Sequence, residues 1–229
     1  AYVIHFDEAR SKESAADFVH DVLVDCLRAR AVVVGEDFHF GHKRGGNVDL
    51  LREMGGTLGF DVEGLALVGP DGAPGTADQQ VSSTAIRALL IDGEVAKAAA
   101  LLGRDHEVRG TVEQGDQRGR ELGFPTANVA VPFEIQLPAD GIYAGWVERA
   151  DGTVLPSAMS LGRRPTFYEA AEKSLLECHV LDFSGDLYGE VLRVRFVERL
   201  RGEVKFDGID ALVAQIAADC DDARRILGA

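Results

Sequence analysis

Glycines and arginines recur between residues 110 and 128, in a stretch that ends Phe-Pro-Thr-Ala-Asn. Glycines let backbone amides approach an anion closely and adopt positive φ, and consecutive N–H groups in such a loop form an anion-binding nest. Arginine side chains can add charge-assisted hydrogen bonds to phosphate oxygens. The pattern is compatible with phosphate binding, for which the candidate residues are Gly110, Gly115, Arg118, Gly119, Arg120 and Gly123.

A proline gives the end of this stretch a stiff backbone. Pro125 fixes its own φ and pushes Phe124 into an extended conformation. The Thr126 hydroxyl and the Asn128 amide would then be held where they can meet a metal ion or a phosphate. The alternative is a surface β-hairpin with a glycine turn, because neither G-x-x-x-x-G-K-[ST] nor G-x-G-x-x-G occurs in the chain.

Glu177 is the candidate acid of the second half of the chain. If the run from 174 to 183 is a strand, Glu177 and His179 share one face while Leu176 and Cys178 share the other. A carboxylate at such a position could accept the proton of an alcohol. The residues alone favour a solvated strand position, and His179 is assigned no role.

The string R-G-x-x-L-G-F-P-T-A-N closely resembles the ATP- and magnesium-binding signature of riboflavin kinases. The resemblance implies that the loop 110–124, with Phe124 and Pro125, surrounds ATP, and that Thr126 and Asn128 lie at magnesium. It also implies that Glu177, in an E-x-H-x-L-D-F setting, is the catalytic base. Two further motifs, D-L-Y-G at 186–189 and R-x-E-x-K-F at 201–206, resemble the segments with which the family forms its flap and contacts the flavin. This resemblance assigns flavin binding to Leu187, Tyr188 and Phe206.

A hydroxyl-rich helix start lies upstream, in the string S-S-T-x-I-R at residues 82–87. Serine and threonine are good N-cap residues, and an arginine one turn later could bind phosphate, although a merely capped helix is the alternative. The string resembles the second signature of the nucleotidylyltransferase superfamily. This resemblance assigns nucleotide binding in an FMN adenylyltransferase to Ser83, Thr84 and Arg87.

His39-Phe-Gly-His42 reads H-x-G-H, which is the first signature of the same superfamily. The fuller segment, however, resembles a different stretch of the bacterial bifunctional FAD synthetases, G-x-D-F-x-F-G. In that family the catalytic H-x-G-H lies nearer the N-terminus. We therefore expect a structural role for His39 and His42.

The elements that must position these residues change character along the chain. Strands predicted at 1–7, 31–35 and 64–68 alternate with helices near 15–28 and 48–54, which indicates a parallel sheet with helices on its faces. Residues 31–35 are typical of a buried parallel strand. An amphipathic helix that contains Ile86, Leu89 and Leu90 is predicted to end at Asp92-Gly93, and a second helix is predicted at 94–102. Short apolar runs then predict antiparallel strands at 108–112, 142–147, 154–160, 175–181 and 191–196. An amphipathic helix is predicted after them, from Ile209.

Essentially the whole chain resembles the prokaryotic bifunctional riboflavin kinase/FMN adenylyltransferases. The resemblance implies an α/β plus all-β protein, with a partial Rossmann-like adenylyltransferase domain at 1–103 and a kinase domain at 106–229. The kinase domain would be a six-stranded antiparallel Greek-key β-barrel with a C-terminal helix. The family uses ATP and Mg²⁺ to convert riboflavin to FMN and then FMN to FAD. We expect the first domain to be N-terminally incomplete and the second reaction to be impaired.

Composition limits the other classes of function. A net charge of −14 and a pI near 4.8 argue against a general nucleic-acid or membrane-surface binder, which would present a basic face. A non-catalytic flavin- or nucleotide-binding carrier remains the alternative to the enzyme. The expected partners are riboflavin, FMN and ATP, with no nucleic acid and no membrane, and a homo-oligomer is left open.

The cysteines and the absence of long apolar runs bear on location. Cys26, Cys178 and Cys220 form no C-x-x-C pair, so we expect ordinary buried or half-buried thiols in a reducing compartment. No apolar run approaches the ~20 residues that span a bilayer, and no signal peptide is visible. We expect a cytoplasmic protein.

Overall fold

The computed structural model describes residues 1–69, 72–73, 81–115, 117–163 and 174–229. Its contacts divide the chain into two compact units, Ala1–Gln80 and Val81–Ala229. The predicted phosphate-binding stretch, Glu177 and the helix start at Ser83 all belong to the second unit.

The first unit contains a β-α-β arrangement. Its elements are α1 (Glu8–Ser11), α2 (Ala15–Phe18) continued by a π-helical segment (Val19–Cys26), β1 (Ala31–Gly35), a 3₁₀ turn (His42–Arg44), α3 (Val48–Leu58) and β2 (Asp61–Leu65). β1 and β2 pair in parallel, and α3 connects them in sequence. A crossover of this kind is what two parallel strands require, so the predicted alternation of strands and helices is confirmed.

Three strand predictions in this unit were imprecise. Residues 1–7 form no strand, and β2 begins and ends three residues earlier than predicted. β1 is also less buried than its apolar run implied, because Val33 is 55% exposed. Val32 and Val34 pack against the core of the unit, so only one face of β1 is covered by the described residues.

The second unit opens with two helices that lie on the barrel described next. Ser82 caps α4 (Ser83–Ile91) by accepting a hydrogen bond from the Ala85 amide at 3.1 Å. Gly93, with a φ of 78°, separates α4 from α5 (Val95–Leu102). This break at Asp92-Gly93 agrees with the sequence prediction.

Six antiparallel strands form a closed barrel in the order β3-β4-β7-β6-β5-β8. They are β3 (His106–Glu113), β4 (Ala127–Ala130), β5 (Gly141–Glu148), β6 (Val154–Arg163), β7 (Ser174–Val180) and β8 (Val191–Arg201). A short helix, α6 (Arg118–Glu121), lies between β3 and β4. The predicted runs correspond to five strands; β4, within the Phe-Pro-Thr-Ala-Asn segment, is too short to show a periodic pattern.

The C-terminal helix α7 (Ile209–Leu227) packs against strands β5, β6 and β8. Cys220 and Ala223 of α7 are buried with Ala144 and Ala158 of the barrel. The expected barrel with a C-terminal helix is therefore confirmed.

The boundary between the two domains stays a prediction. Leu90, Val95 and Ala98 of α4 and α5 are buried in the same cluster as the barrel interior, although the sequence assigned these helices to the domain at 1–103. The left-handed Gly103, with a φ of 70°, ends α5 close to the boundary predicted between the domains at 1–103 and 106–229.

Candidate functional site

Glu177 projects from the outer face of the barrel. β7 lies between β4 and β6, and Glu177 stands directly opposite Asn128 on one side and Ser160 on the other. Directly opposed residues of antiparallel strands project to the same face. Leu176 and Cys178 are fully buried inside, which confirms the alternation expected from the sequence.

Three oxygen-bearing side chains meet on this face. The Thr126 hydroxyl donates to Oε2 of Glu177 over a long 3.4 Å, and Asn128 follows two residues later on the same strand face. Oδ1 of Asn128 is buried and accepts no hydrogen bond within the described part of the chain. A buried acceptor without a donor lowers the stability of the fold, because its lost contact with water is not replaced. A bound ligand or cation could supply the missing partner of this oxygen.

His179 fixes the segment that carries Thr126. Its Nδ1 lies 2.8 Å from the Pro125 carbonyl oxygen, to which it donates as the Nδ1–H tautomer. The Phe124 ring meets the imidazole edge-on, with ring centroids 5.5 Å apart. The sequence analysis assigned His179 no role; its position two residues after Glu177 on the same strand face was the signal that could have revealed one.

Two glycines of the predicted phosphate-binding stretch allow close approach of backbone and side chain. A Cβ on Gly119 would lie 2.4 Å from the Phe124 carbonyl oxygen, and a Cβ on Gly115 would lie 2.1 Å from Nδ2 of Asn128. Both distances are far below ordinary contact, so only glycine lets α6 and the preceding loop pack against Phe124 and Asn128.

Replacing Gly119 with alanine is therefore expected to displace Phe124 and, with it, Thr126. Misplacing reacting groups by a fraction of an ångström to one ångström should lower kcat/KM roughly 10- to 100-fold. The measurement is steady-state turnover of the variant with its substrates. Gly56→Ala is the matched control, because a Cβ there meets nothing within 4 Å; equal activity of both variants would contradict the prediction.

Two cavities open on either side of Thr126. The smaller, about 300 Å³, is lined by Thr126, Glu177 and His179 together with Phe206 and apolar residues of α7. The larger, about 580 Å³, is lined by Thr126, Pro125 and Arg120 together with the segment 183–188. Thr126 thus stands at the wall that both cavities share.

The remaining residues of the predicted ATP site fall in different places. Arg120 lies in the larger cavity and Phe124 in the smaller one. A Cβ on Gly110 would lie 2.3 Å from the Ala130 carbonyl oxygen, so this glycine serves the close approach of β3 and β4. Gly123 has a φ of 89°. The side chain of Arg118 lies outside the described residues, although its backbone begins α6.

The predicted flavin-binding residues are not brought together. Leu187 and Tyr188 line the larger cavity with Arg120, whereas Phe206 lines the smaller cavity with Glu177. Thr126 lines both cavities, but Leu187 and Tyr188 face one of them and Phe206 faces the other. The chain distance from Tyr188 to Phe206 gave no indication of this separation.

Ser83, Thr84 and Arg87 lie exposed on the first turns of α4. Their hydroxyls and guanidinium are accessible, as the assigned nucleotide-binding role requires. The imidazoles of His39 and His42 lie 2.7 and 3.0 Å from the carbonyl oxygens of Asp37 and Ser11. These backbone contacts support the structural role expected for both histidines.

Two of the three cysteine thiols are buried. Burial raises the pKa of the Cys178 thiol strongly and that of Cys220 to about 11, so both stay protonated near neutral pH. Cys26 is exposed, which corrects the expectation of a buried or half-buried thiol. Among the described residues, no group of three or more His, Cys, Asp or Glu side chains could hold a metal ion.

Two family models match the chain. The riboflavin kinase model matches residues 102–227, and the FAD synthetase model matches residues 1–85. The first match contains the barrel and α7, and the second contains the β-α-β arrangement of the first unit.

Curated relatives agree with both models. The bifunctional riboflavin kinase/FMN adenylyltransferase of Escherichia coli (strain K12) is 37% identical over 98% of this chain and 69% of its own length. The Pseudomonas fluorescens protein of the same name is 39% identical over 96% of this chain and 68% of its own length. The Bacillus subtilis protein of that name is 33% identical over 98% of this chain and 68% of its own length.

A solved structure has a similar fold. A crystal structure described as a macrolide-efflux protein from Streptococcus pneumoniae has a TM-score of 0.79 and 31% identity, and the match covers 96% of this chain and 67% of that one. None of the helices in the described part of this chain combines the length and apolar character needed to traverse a bilayer.

Proposed function

The chain belongs to the family of bifunctional riboflavin kinase/FMN adenylyltransferases, and we propose that its barrel unit transfers the γ-phosphoryl group of ATP to riboflavin across Thr126. The observation that carries this proposal is the position of Thr126, which lines both cavities and contacts Glu177. Phosphoryl transfer needs donor and acceptor held on opposite sides of one point, with little covalent chemistry from the protein.

The smaller cavity suits riboflavin. Phe206, Leu212 and Ile216 supply aromatic and apolar surface for the isoalloxazine ring, and Glu177 lies in the same space. Glu177 accepts the proton of the terminal ribityl hydroxyl as that oxygen attacks the γ-phosphorus. One O–P bond then forms, the bond to the β,γ-bridging oxygen breaks, and ADP leaves.

The larger cavity suits the nucleotide. Arg120 adds positive charge to it, and the loop before β4 supplies glycines that let backbone approach a phosphate chain. Leu187 and Tyr188 line this cavity, so we place them beside the nucleotide, while Phe206 remains the candidate for flavin contact. This placement refines the flavin-binding assignment made from the sequence.

Mg²⁺ fits the oxygen atoms of this site. The Thr126 hydroxyl and the unsatisfied Oδ1 of Asn128 are hard ligands, and Mg²⁺ typically combines one or two protein oxygens with water and substrate phosphates. When bound, the ion would neutralise charge on the phosphoryl oxygens. Thr126 and Asn128 would hold it, and His179 keeps the segment before Thr126 in place.

The second reaction of the family, adenylylation of FMN to FAD, is assigned to the region of the FAD synthetase match. Ser83, Thr84 and Arg87 would bind the nucleotide in that step, since their polar groups are exposed at the start of α4. The three free thiols suit a reducing compartment, and we propose the cytoplasm as the place where both reactions occur.

The test is to incubate the protein with riboflavin, ATP and Mg²⁺ and to separate riboflavin, FMN and FAD by chromatography. FMN that accumulates over many turnovers would support the kinase assignment, and further conversion to FAD would support the second assignment. Binding of flavin and ATP without any turnover would overturn the enzyme reading in favour of a carrier.

A further inference from the structure

Arg149 lies in none of the motifs, in the turn between β5 and β6, yet its side chain contacts two residues next to the larger cavity. Its Nε and Nη2 donate to the two carboxylate oxygens of Glu190 at 3.1 and 2.6 Å. Its guanidinium carbon lies 5.6 Å from the centroid of the Phe183 ring. The side chains of Arg149 and Glu190 are each only 25% exposed.

Phe183 and Glu190 are the two ends of one segment, here called the 183–190 loop. Phe183, Leu187 and Tyr188 of this loop line the larger cavity. A Cβ on Gly185 would lie 2.7 Å from the Phe183 ring, so the ring also packs on the backbone of the loop. One guanidinium therefore contacts both ends of a loop that forms a wall of the cavity.

We propose that Arg149 is a positioning residue that holds the 183–190 loop against the larger cavity and thereby sets the affinity for ATP. The inference rests on the proposed function of that cavity as the nucleotide site. A loop that is already ordered binds its ligand without first losing conformational freedom. If Arg149 is removed, only a fraction of molecules has the loop in place, and the apparent affinity falls by that fraction.

The chemistry of the contact requires arginine. The planar guanidinium can make two parallel bonds to a carboxylate while it contacts an aromatic ring, which a lysine ammonium cannot do in one geometry. Arg149→Lys keeps the charge and loses the pair of parallel hydrogen bonds, so it should reproduce most of the defect of Arg149→Ala. Glu190→Gln removes the carboxylate while the contact between Arg149 and Phe183 remains.

The experiment measures amide hydrogen exchange of the 183–190 loop in the full chain without nucleotide, together with kcat and the KM values for ATP and riboflavin. In Arg149→Ala we expect exchange in the loop to become about five- to tenfold faster and the KM for ATP to rise by a similar factor. The kcat and the KM for riboflavin should stay within about twofold, and saturating ATP should restore protection of the loop.

The control is Arg52→Ala, which removes an arginine paired with Glu36 at 2.7 Å and with Asp49 at 3.1 Å in the first unit. Unchanged loop exchange in both Arg149→Ala and Glu190→Gln would overturn the proposal. So would faster exchange with an unchanged KM for ATP. An inactive parent protein would refute the kinase assignment instead, while the exchange data would still report whether Arg149 holds the loop.

Discussion

Replacing Glu177 with glutamine is expected to lower kcat for riboflavin phosphorylation by about 10²- to 10⁴-fold, the range that a general base contributes. Glutamine has nearly the same shape, and its carbonyl oxygen can still accept the hydrogen bond from Thr126, which is 3.4 Å from Glu177 in the wild type. It cannot accept the proton of the attacking hydroxyl. ATP binding, which we propose to occur on the other side of Thr126, should change by less than about threefold.

FMN formation under saturating substrates and ATP binding by calorimetry test this prediction. Glu148→Gln is the matched control, because it makes the same change on barrel strand β5 at a residue that lines neither cavity. A Glu177→Gln variant that keeps more than about a tenth of wild-type kcat would exclude Glu177 as the base. A loss of ATP binding in that variant would point to a damaged site instead.

Asp219→Ala should give the largest loss of stability, about 3–5 kcal/mol, which is the usual effect of removing one partner of a buried ion pair. The Asp219 side chain is 7% exposed and that of Arg201 is 20% exposed. Nε and Nη2 of Arg201 donate to the two carboxylate oxygens at 2.9 and 2.7 Å, and Gln215 donates a further bond at 2.9 Å. The variant removes the carboxylate that accepts these bonds from Arg201.

The measurement is thermal unfolding of the full chain, where we expect the midpoint temperature to fall by about 10 °C. Asp222→Ala is the control, because its carboxylate lies on the same helix and pairs with the exposed Arg225; it should change stability by less than about 0.5 kcal/mol. A loss below about 1 kcal/mol in Asp219→Ala would show that this ion pair does not anchor α7.

The same substitution should weaken riboflavin binding more than ATP binding. Arg201 and Asp219 both line the smaller cavity, and the guanidinium of Arg201 lies 5.8 Å from the Phe206 ring. Without the ion pair, α7 and Phe206 are held less firmly on the flavin side of Thr126. The ratio of the two KM changes, measured below the unfolding temperature, checks this expectation.

The amino-acid sequence by itself determined the local parts of the site. Alternation along 174–180 showed that Glu177 faces away from the buried Leu176 and Cys178, because successive side chains of a strand point to opposite faces. The sequence also predicts an extended Phe-Pro-Thr segment, since proline restricts the residue before it, and this stays a prediction. The helices from Ser83 onwards and the C-terminal helix followed from caps and apolar periodicity.

Only the tertiary structure decided which residues share a space. Thr126 and Glu177 meet because β4 lies beside β7 in the barrel, and no local pattern specifies which strands become neighbours. The same strand order sends Tyr188 to one cavity and Phe206 to the other, although both were assigned to flavin. Arg149 has no motif at all, since its contacts to Phe183 and Glu190 depend on long-range packing. The direction of a side chain depends on a few adjacent residues, so the sequence predicts it. A site is assembled by contacts between residues that are far apart in the chain. Closure of the barrel fixes those contacts.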